Sequence, residues 1–329
     1  VKDKNRGHIG LKSVKEITFL DPACGSGHFL LEAFDVFYDM YQEEGKLTSS
    51  DEICGSILDN NLFGIDIDER AVQIAIISLW MKAKEKGRNI SKSSLVSFNE
   101  NLVSANIKLP NNKNHLEEFL SRHPEDKPLT SALETIFNAL RDADEIGSLL
   151  KIRELLDVSL ESIISEGVIQ TNLTTPMTKD EIQNWKHDVI DRLNIHFNNE
   201  AKSSELLQNF FGRYAKKGFN LIDLLSRKYD VVATNPPYMS TRNMSAGLNA
   251  YLKNEYAIGK SDLFSAFILR GRMLLKNNGY LGMVTQHSWM FMKTYTKLRR
   301  MLLSKSKIEL IVHLGPHSFS EIGGEVVSS

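Results

Sequence analysis

The sequence predicts an α/β fold with a doubly wound, mostly parallel sheet, and three observations support this prediction. A short apolar run at residues 17–20 leads into DPACGSGHF and then into a helical pattern. A second apolar run, LFGI at 62–65, ends at an aspartate and is also followed by a helical pattern. A third run, YDVV at 229–232, stops shortly before two consecutive prolines. Strands that alternate with helices and carry polar groups at their ends are typical of such a sheet.

The composition is that of an ordinary globular protein. Of the 329 residues, 42% are hydrophobic and 25% are charged, and the formal net charge is −1. Nucleic acid would therefore have to bind a local basic surface. We expect no membrane helix and no signal peptide, because neither a long apolar run nor an apolar N-terminal segment is present. Cys24 and Cys54 are too few for a disulfide framework and wrongly spaced for zinc, so we expect a cytoplasmic protein without a metal site.

The first predicted ligand site is the glycine loop after residue 20. Gly25 and Gly27 permit a tight turn and close approach of a ligand. The amides of the following helix favour an anionic group, and Asp21 could pair with an ammonium, so an amino acid would suit both. Leu30 stands where G-x-G-x-x-G has its third glycine, and GK[ST] is missing. These departures argue against a dinucleotide-binding dehydrogenase and against a P-loop.

Three further residues in or after these strands have alternative interpretations. Asp66 ends the second predicted strand, where a carboxylate can accept hydrogen bonds from both hydroxyls of a ribose. Asp68 is better placed to cap the next helix, and the alternative is that both acids are caps. Cys24 is interpreted as a small buried packing residue rather than a reactive thiol.

The tetrapeptide NPPY follows the predicted strand at 229–232. Pro236 and Pro237 cannot donate to a sheet ladder, so the strand ends there and presents Asn235 and Tyr238 at its C-terminal end. The Asn235 side-chain oxygen and the Pro236 carbonyl are two restrained acceptors that suit an NH2 group. Accepting both hydrogens makes the nitrogen nucleophilic, and the Tyr238 ring offers a face for a planar base or amide.

NPPY after an apolar strand, together with DPACGSG, resembles the signature of amino-methyltransferases, best known from DNA adenine methyltransferases that use S-adenosylmethionine. The resemblance implies a Rossmann-like methyltransferase fold and methyl transfer to the exocyclic amine of an adenine flipped out of double-stranded DNA. The ending LGPHSF…GGEVV and the interrupted middle region look most like the large methyltransferases of BREX phage-exclusion systems. Type II restriction–modification fusion enzymes are the next most similar class. The likeness therefore implies other subunits of a phage-defence system as partners.

The resemblance also assigns roles to individual residues. It implies a catalytic tetrad of Asn235, Pro236, Pro237 and Tyr238, and an aromatic, Phe319, on the opposite face of the extruded base. It implies that the following residues bind the cofactor: Asp21, Pro22, Ala23, Cys24, Gly25, Ser26, Gly27, Phe29, Asp66, Ile67 and Asn101. Either Glu100 or Asn101 would contact the cofactor adenine. Both could instead belong to a loop, and their spacing does not decide between these alternatives.

The remaining chain carries weaker signals. Residues 95–98 are predicted as the third strand, 280–285 as the fifth and 308–315 as the sixth. A polar segment after the tetrad suits a mobile loop, and residues 261–279 read as an amphipathic helix that ends at Gly279. A helix over 293–307 has no acid and would present cations to DNA phosphates, or simply to water: Lys293, Lys297, Arg299 and Arg300.

We predict three regions. Residues 1–103 form the cofactor-binding half of the methyltransferase domain, 104–218 a helical insertion and 219–329 the catalytic half. The chain lacks an initiator Met and a recognition domain, so we interpret it as a fragment. Two alternatives stay open: the same tetrad acting on a protein glutamine or an RNA base, and a cofactor-binding or DNA-binding subunit without turnover.

Overall fold

The computed structural model describes residues 13–107, 121, 130–155, 195 and 206–315. The chain divides into two compact units. The first comprises Val1–Asp66, Arg70–Leu102 and Lys228–Ser329, and the second comprises Ile67–Glu69 and Val103–Arg227.

The helices and strands of the described residues follow in chain order. They are β1 (Phe19–Asp21), α1 (His28–Glu44), α2 (Ser50–Ser56), β2 (Leu62–Asp66), α3 (Glu69–Lys86), α4 (Lys92–Asn101), β3 (Leu102–Ser104), α5 (Thr130–Arg141), α6 (Ala143–Ile146), α7 (Leu206–Ser226), β4 (Tyr229–Thr234), α8 (Ala246–Glu255), α9 (Leu263–Leu274), β5 (Leu275–Met283), α10 (Ser288–Phe291) and α11 (Thr296–Lys305). Shorter turns are 3-10 at Val14–Glu16, Gly147–Leu149 and Lys293–Tyr295, and π-helical at Ile57–Asn61.

The five strands form one sheet in the order β3-β2-β1-β4-β5. β1 pairs in parallel with both β2 and β4, and β4 pairs in parallel with β5. The chain first moves outward from β1 to β3 and then returns to the other side of β1 for β4. The strand order therefore reverses between β1 and β4, which is where open α/β sheets bind ligands. The predicted α/β, mostly parallel fold is confirmed.

Helix α1 covers the sheet beside β1 and β2 because its apolar residues recur every three or four positions. Leu30, Phe34 and Phe37 are buried in the hydrophobic core. The helix ends at Gly45, whose φ of 69° is left-handed and whose amide donates to the Tyr41 carbonyl at 3.1 Å. This is the C-terminal cap that glycine favours.

The third strand lies later in the chain than predicted. Residues 95–98 belong to helix α4, and the strand is Leu102–Ser104. Ser94 and Phe98 are both buried, and the Ser94 hydroxyl donates to Asp59 Oδ2 at 3.1 Å. Because these two residues are four apart, a helix brings both to the same buried side, and this packing overrides the local strand preference.

The helix that was predicted to end at Gly279 ends at Leu274, and β5 begins at once. Leu275 pairs with Tyr229, after which the register shifts at a bulge. Asn278 has a φ of 65°, and a Cβ on Gly279 would lie 2.9 Å from the Asp230 carbonyl oxygen. Gly279 therefore permits close approach of two strands and does not cap a helix.

Two segments after β4 also differ from prediction. The polar stretch expected to be a mobile loop contains α8, which Ser245 caps by accepting from the Leu248 amide at 3.1 Å. Leu248 and Leu252 of this helix are buried. The predicted sixth strand is not part of the sheet, because residues 306–314 have no regular secondary structure and no strand neighbour among the described residues.

The described part of the second unit is mainly helical. Several of its apolar residues are buried, including Leu140, Leu149 and Phe219. The Arg153 guanidinium donates to the Ser226 carbonyl at 2.9 Å. Much of the predicted helical insertion at 104–218 lies outside the described residues. Within the ranges the structure describes, no helix combines the length and apolarity that crossing a membrane requires.

Candidate active site

The glycine loop between β1 and α1 is held against the end of β2. The Cys24 amide donates to the Ile65 carbonyl at 3.0 Å, and the Gly25 amide donates to Asp66 Oδ2 at 2.8 Å. Gly25 has a φ of 51°, and a Cβ built on it would meet nothing within 4 Å. The loop therefore exposes backbone to open space at Gly25, as a cradle for a ligand requires.

Gly27 is constrained for a different reason. Its φ is 90°, and a Cβ there would lie 2.9 Å from the Ala75 Cβ, so helix α3 packs directly on the loop. Gly27 is also the N-cap of α1, and as a glycine it has no side chain with which to cap the helix. The first amides of α1 thus keep their partial positive charge beside the loop.

Asp21 ends β1 and is 1% exposed. Its Oδ1 accepts from the Ala23 amide at 3.1 Å. Burial raises the pKa of Asp21 to about 7, and the nearby Thr234 hydroxyl and Ala23 amide only partly oppose this rise. The Thr234 hydroxyl, at the end of β4, is itself buried and lacks a partner with hydrogen-bond geometry among the described residues. A cationic group of a ligand would lower the pKa of Asp21, because it favours the charged carboxylate.

The other predicted cofactor residues surround this loop. Pro22 and Cys24 are buried, Ala23 and Ser26 are half-buried, and Phe29 packs against the hydrophobic core. Burial raises the pKa of the Cys24 thiol, as expected of a packing residue. Ile67, next to Asp66, exposes 50% of its surface. An exposed apolar side chain beside the end of β2 could cover one face of a planar ring.

Asn101 lies at the end of α4. Its side-chain nitrogen donates to the carbonyls of Leu58 and Asp59 at 3.0 and 3.3 Å. These bonds hold the helix against the π-helical turn before β2. The role of Asn101 or Glu100 in reading the cofactor adenine stays a prediction.

The predicted catalytic tetrad, residues 235–238, follows β4 directly. Asn235 is exposed, Pro236 is buried, and Tyr238 is half-buried. The Tyr238 hydroxyl lies 3.1 Å from Asn235 Oδ1 and 3.1 Å from the Val284 carbonyl. The hydroxyl has one proton that either acceptor can receive. The contact with Val284 restrains the Tyr238 ring, and the contact with Asn235 restrains the side-chain amide. Asn235 therefore presents an oriented acceptor oxygen.

The residues after the tetrad are tied to the start of α9. Asp262, the N-cap of α9, accepts from the Met239 amide at 3.0 Å and from the Phe264 amide at 3.3 Å. Asp262 is buried, and burial raises its pKa. The Phe264 ring meets the Tyr238 ring edge-on, with centroids 6.2 Å apart. One carboxyl thus fixes both the backbone next to Tyr238 and the aromatic that supports its ring.

The tetrad and the glycine loop lie at the same edge of neighbouring strands. Leu20 is paired with Val232, so Asp21 is level with Ala233 of β4. Asn235 is two residues further, about 7 Å at roughly 3.3 Å per residue. Both sites are at the carboxyl end of the sheet, at the point where strand order reverses.

The basic residues beyond β5 do not all face solvent. Lys293, Lys297 and Arg300 are exposed. The Arg299 guanidinium instead donates to the carbonyls of Trp289 and Met292, at 2.6 and 2.7 Å. Phe319, the predicted second stacking aromatic, lies outside the described residues.

Thr234 and Asp262 were not recognised as site residues from the sequence. Aspartate before an apolar run is a recognisable helix cap. That signal could identify Asp262 as a cap but not as the partner of Met239, 23 residues away. Nothing in the local sequence of Thr234 indicates that its hydroxyl lies beside Asp21.

Comparison with known proteins connects this site to a family. The Eco57I restriction-modification methylase family matches residues 60–319, and the MmeI DNA-methyltransferase domain matches residues 5–110. The adenine-specific methyltransferase PglX of Lacticaseibacillus casei (strain Zhang) is 34% identical over 98% of this chain and 24% of its own length. The adenine-specific methyltransferase BrxX of Escherichia coli O9:H4 (strain HS) is 30% identical over 96% of this chain and 25% of its own length.

A match over a shorter part of the chain is also to a methyltransferase. The type II restriction enzyme and methyltransferase RM.Eco57I of Escherichia coli is 32% identical over 104 residues, which are 30% of this chain and 10% of that protein. The chain spans about a quarter of the length of PglX and BrxX. The predicted resemblance is confirmed: the chain belongs to the Eco57I restriction-modification methylase family.

Proposed function

We propose that this chain is the catalytic region of a DNA adenine methyltransferase that acts in phage defence or restriction–modification. The observation that carries the proposal is the position of Asn235 beside the glycine loop, at the same edge of adjacent parallel strands. The names of PglX and BrxX, both adenine-specific methyltransferases, support the same activity. We propose double-stranded DNA as the substrate and other subunits of a phage-defence system as partners.

The cofactor we propose is S-adenosylmethionine, whose bound form supplies an activated methyl group. The donor set fits its amino-acid end: a buried carboxyl at Asp21 for the ammonium, and open backbone at Gly25 beside an uncapped helix start for the carboxylate. Asp66 would accept from the ribose hydroxyls, since a carboxylate oxygen can accept more than one hydrogen bond. Ile67 would cover the adenine ring.

The tetrad would handle the target amine. Asn235 Oδ1 and the Pro236 carbonyl accept its two hydrogens, which withdraws the nitrogen lone pair from the ring and makes it nucleophilic. The bound cofactor would supply a methyl group to this nitrogen, and the Asn235 and Pro236 oxygens would hold the amine while it becomes positively charged. Tyr238 stacks on the adenine ring. These are fixed acceptors aimed at positive charge as it develops.

An adenine inside a duplex cannot bring its amine to this edge of the sheet. We therefore propose that the target nucleotide leaves the helix before transfer, as in other enzymes that act on bases. Phe319 would take the face of the base opposite Tyr238.

The test is methyl transfer from radiolabelled S-adenosylmethionine by the full-length protein to three substrates: duplex DNA, RNA and a glutamine-containing protein extract. The proposal predicts label in DNA alone, recovered as N6-methyladenine after digestion. Label in RNA or protein but not in DNA would replace the proposal with the alternative substrates. Absence of label from all three, with the cofactor bound, would indicate a subunit without turnover.

A further inference from the structure

The chain leaves β5 at the same edge of the sheet as the tetrad and continues through α10, a 3-10 turn and α11, which carry exposed side chains. We define a flanking surface by four of these side chains: Phe291, Lys293, Lys297 and Arg300. Phe291 ends helix α10 and exposes 71% of its surface, which is unusual for a phenylalanine. None of the three cations makes an ion pair with another residue in the described ranges.

Side-chain hydrogen bonds from Arg299 hold the turn that carries Phe291. The Arg299 guanidinium binds the carbonyls of Trp289 and Met292, the residues on either side of the Phe291 turn. The Trp289 indole donates to the Thr285 hydroxyl at 3.0 Å, and the His287 ring lies 5.8 Å from the Phe291 ring. The backbone that carries Phe291 is thus restrained on both sides, so less backbone entropy would be lost when Phe291 contacts a partner.

The charged side chains of the flanking surface are all positive. From Val284 to Ile308 the sequence contains six lysines and arginines and no acid, although the whole chain has a net charge of −1. Lys297 and Arg300 are three residues apart in α11 and lie on its exposed side, opposite the buried Leu298 and Leu302. A surface with fixed cations and a projecting aromatic is complementary to a polyanion with flat, apolar faces, which is nucleic acid.

We propose that the flanking surface holds duplex DNA next to the target base: Lys293, Lys297 and Arg300 neutralise phosphates, and Phe291 stacks on a base that becomes exposed when the target leaves the helix. This inference rests on the proposed function for the identity of the substrate. Arg299 has a different part, since it positions the turn that carries Phe291. The stacking partner is a base exposed beside the opening, so the contact requires no particular sequence.

The experiment measures DNA binding by fluorescence anisotropy without cofactor, so that no methyl transfer occurs. Three labelled probes are used: a plain duplex, the same duplex with one abasic position that exposes the neighbouring bases, and a single-stranded RNA. Phe291→Ala is compared with Phe291→Trp, which keeps a stacking face, and with Met81→Ala, which removes a side chain of similar exposure on α3. Lys297→Ala/Arg300→Ala is compared with Lys15→Ala/Arg88→Ala, which removes two exposed cations before β1 and after α3.

We expect Phe291→Ala to bind the abasic duplex about tenfold more weakly, with Phe291→Trp and Met81→Ala close to the parent protein. Lys297→Ala/Arg300→Ala should lower the slope of log K against log salt by about 2, while the control pair leaves it unchanged. Equal binding of the abasic probe by Phe291→Ala and the parent, or an unchanged salt slope, would overturn the proposal. So would tighter binding of single-stranded RNA than of either duplex.

The two proposals fail separately. A protein that shows these binding signatures but transfers no methyl group to DNA refutes the proposed function and supports the flanking surface. A protein that methylates DNA but binds it equally well after both substitutions refutes the flanking surface alone.

Discussion

The carboxyl of Asp21 lies beside the hydroxyl of Thr234 where the parallel strands β1 and β4 end, and both groups are buried. Burial keeps the pKa of Asp21 at about 7. Below that pH the carboxyl is protonated and neutral, and it cannot form an ion pair with an ammonium. The proposed cofactor contact and the titration of Asp21 are therefore coupled.

We expect the affinity for S-adenosylmethionine to fall as the pH drops below about 7, by up to about tenfold per pH unit. Isothermal titration calorimetry from acid to mildly basic pH measures this dependence. Asp21→Asn is the control, and it should bind weakly with a flat profile. An affinity of the parent protein that does not change over this range would contradict the role of Asp21.

The same carboxyl predicts a pH dependence of stability. The unfolded chain ionises Asp21 near its ordinary pKa of about 3.9, whereas the folded protein retains the proton up to about 7. The folded state binds more protons in between, so this group makes the free energy of unfolding fall as the pH rises from about 4 to 7. Asp21→Asn does not titrate, so its free energy of unfolding should not fall in this way. In urea unfolding, the difference in free energy of unfolding between Asp21→Asn and the parent should therefore rise by roughly 2 kcal/mol from mildly acidic to neutral pH. A constant difference across that range would contradict the prediction.

The two loop glycines should respond differently to alanine. Gly27→Ala introduces a methyl group that meets Ala75 at a φ of 90°, and we expect it to lower the free energy of unfolding by about 2–4 kcal/mol. Gly25→Ala has open space around it and a φ of 51°, so its cost should be about 1–2 kcal/mol. The methyl of Gly25→Ala would instead obstruct the cofactor. Urea unfolding combined with cofactor titration separates the two effects, and the reverse ranking in stability would be inconsistent with the packing described.

Substitution of Asp262 should lower turnover more than substitution of a residue that only caps a helix. Asp262→Ala removes the N-cap of α9 and also the acceptor of the Met239 amide. Ser245→Ala removes the cap of α8 and serves as the matched control. We expect both to destabilise by about 1 kcal/mol.

Only Asp262→Ala should lower kcat, by about tenfold or more, with the KM for the cofactor nearly unchanged, because Tyr238 loses its support. Asp262→Asn, which keeps an acceptor oxygen, should recover most of kcat. Equal kcat values for Asp262→Ala and Ser245→Ala would show that Asp262 acts only as a cap.

The parts of the fold that local sequence determines were predicted. β1, β2 and β4 are short apolar runs, and each ends in a residue type with a clear local effect: glycines after Asp21, an acid at Asp66 and prolines after Asn235. Because parallel strands end at one edge, predicting these three strands was enough to bring the glycine loop and the tetrad together.

The parts that depend on distant contacts were not predicted. Residues 95–98 resemble a strand but form a helix, because Ser94 and Phe98 pack against the turn before β2. The basic helix was predicted, but the role of Arg299 depends on carbonyls seven and ten residues away. Side-chain partners of this kind leave no periodic signal in the sequence.

The most direct test of the proposed reaction is the substitution Asn235→Ala in the full-length protein, with methyl transfer to DNA and cofactor binding measured side by side. Asn235 is exposed at the end of β4, so its loss should spare the fold. We predict at least a hundredfold loss of transfer, by analogy with the removal of one preorganised polar contact to the transition state, and cofactor affinity within about twofold of the parent. Near-parental methylation by Asn235→Ala would contradict the proposed role of the tetrad.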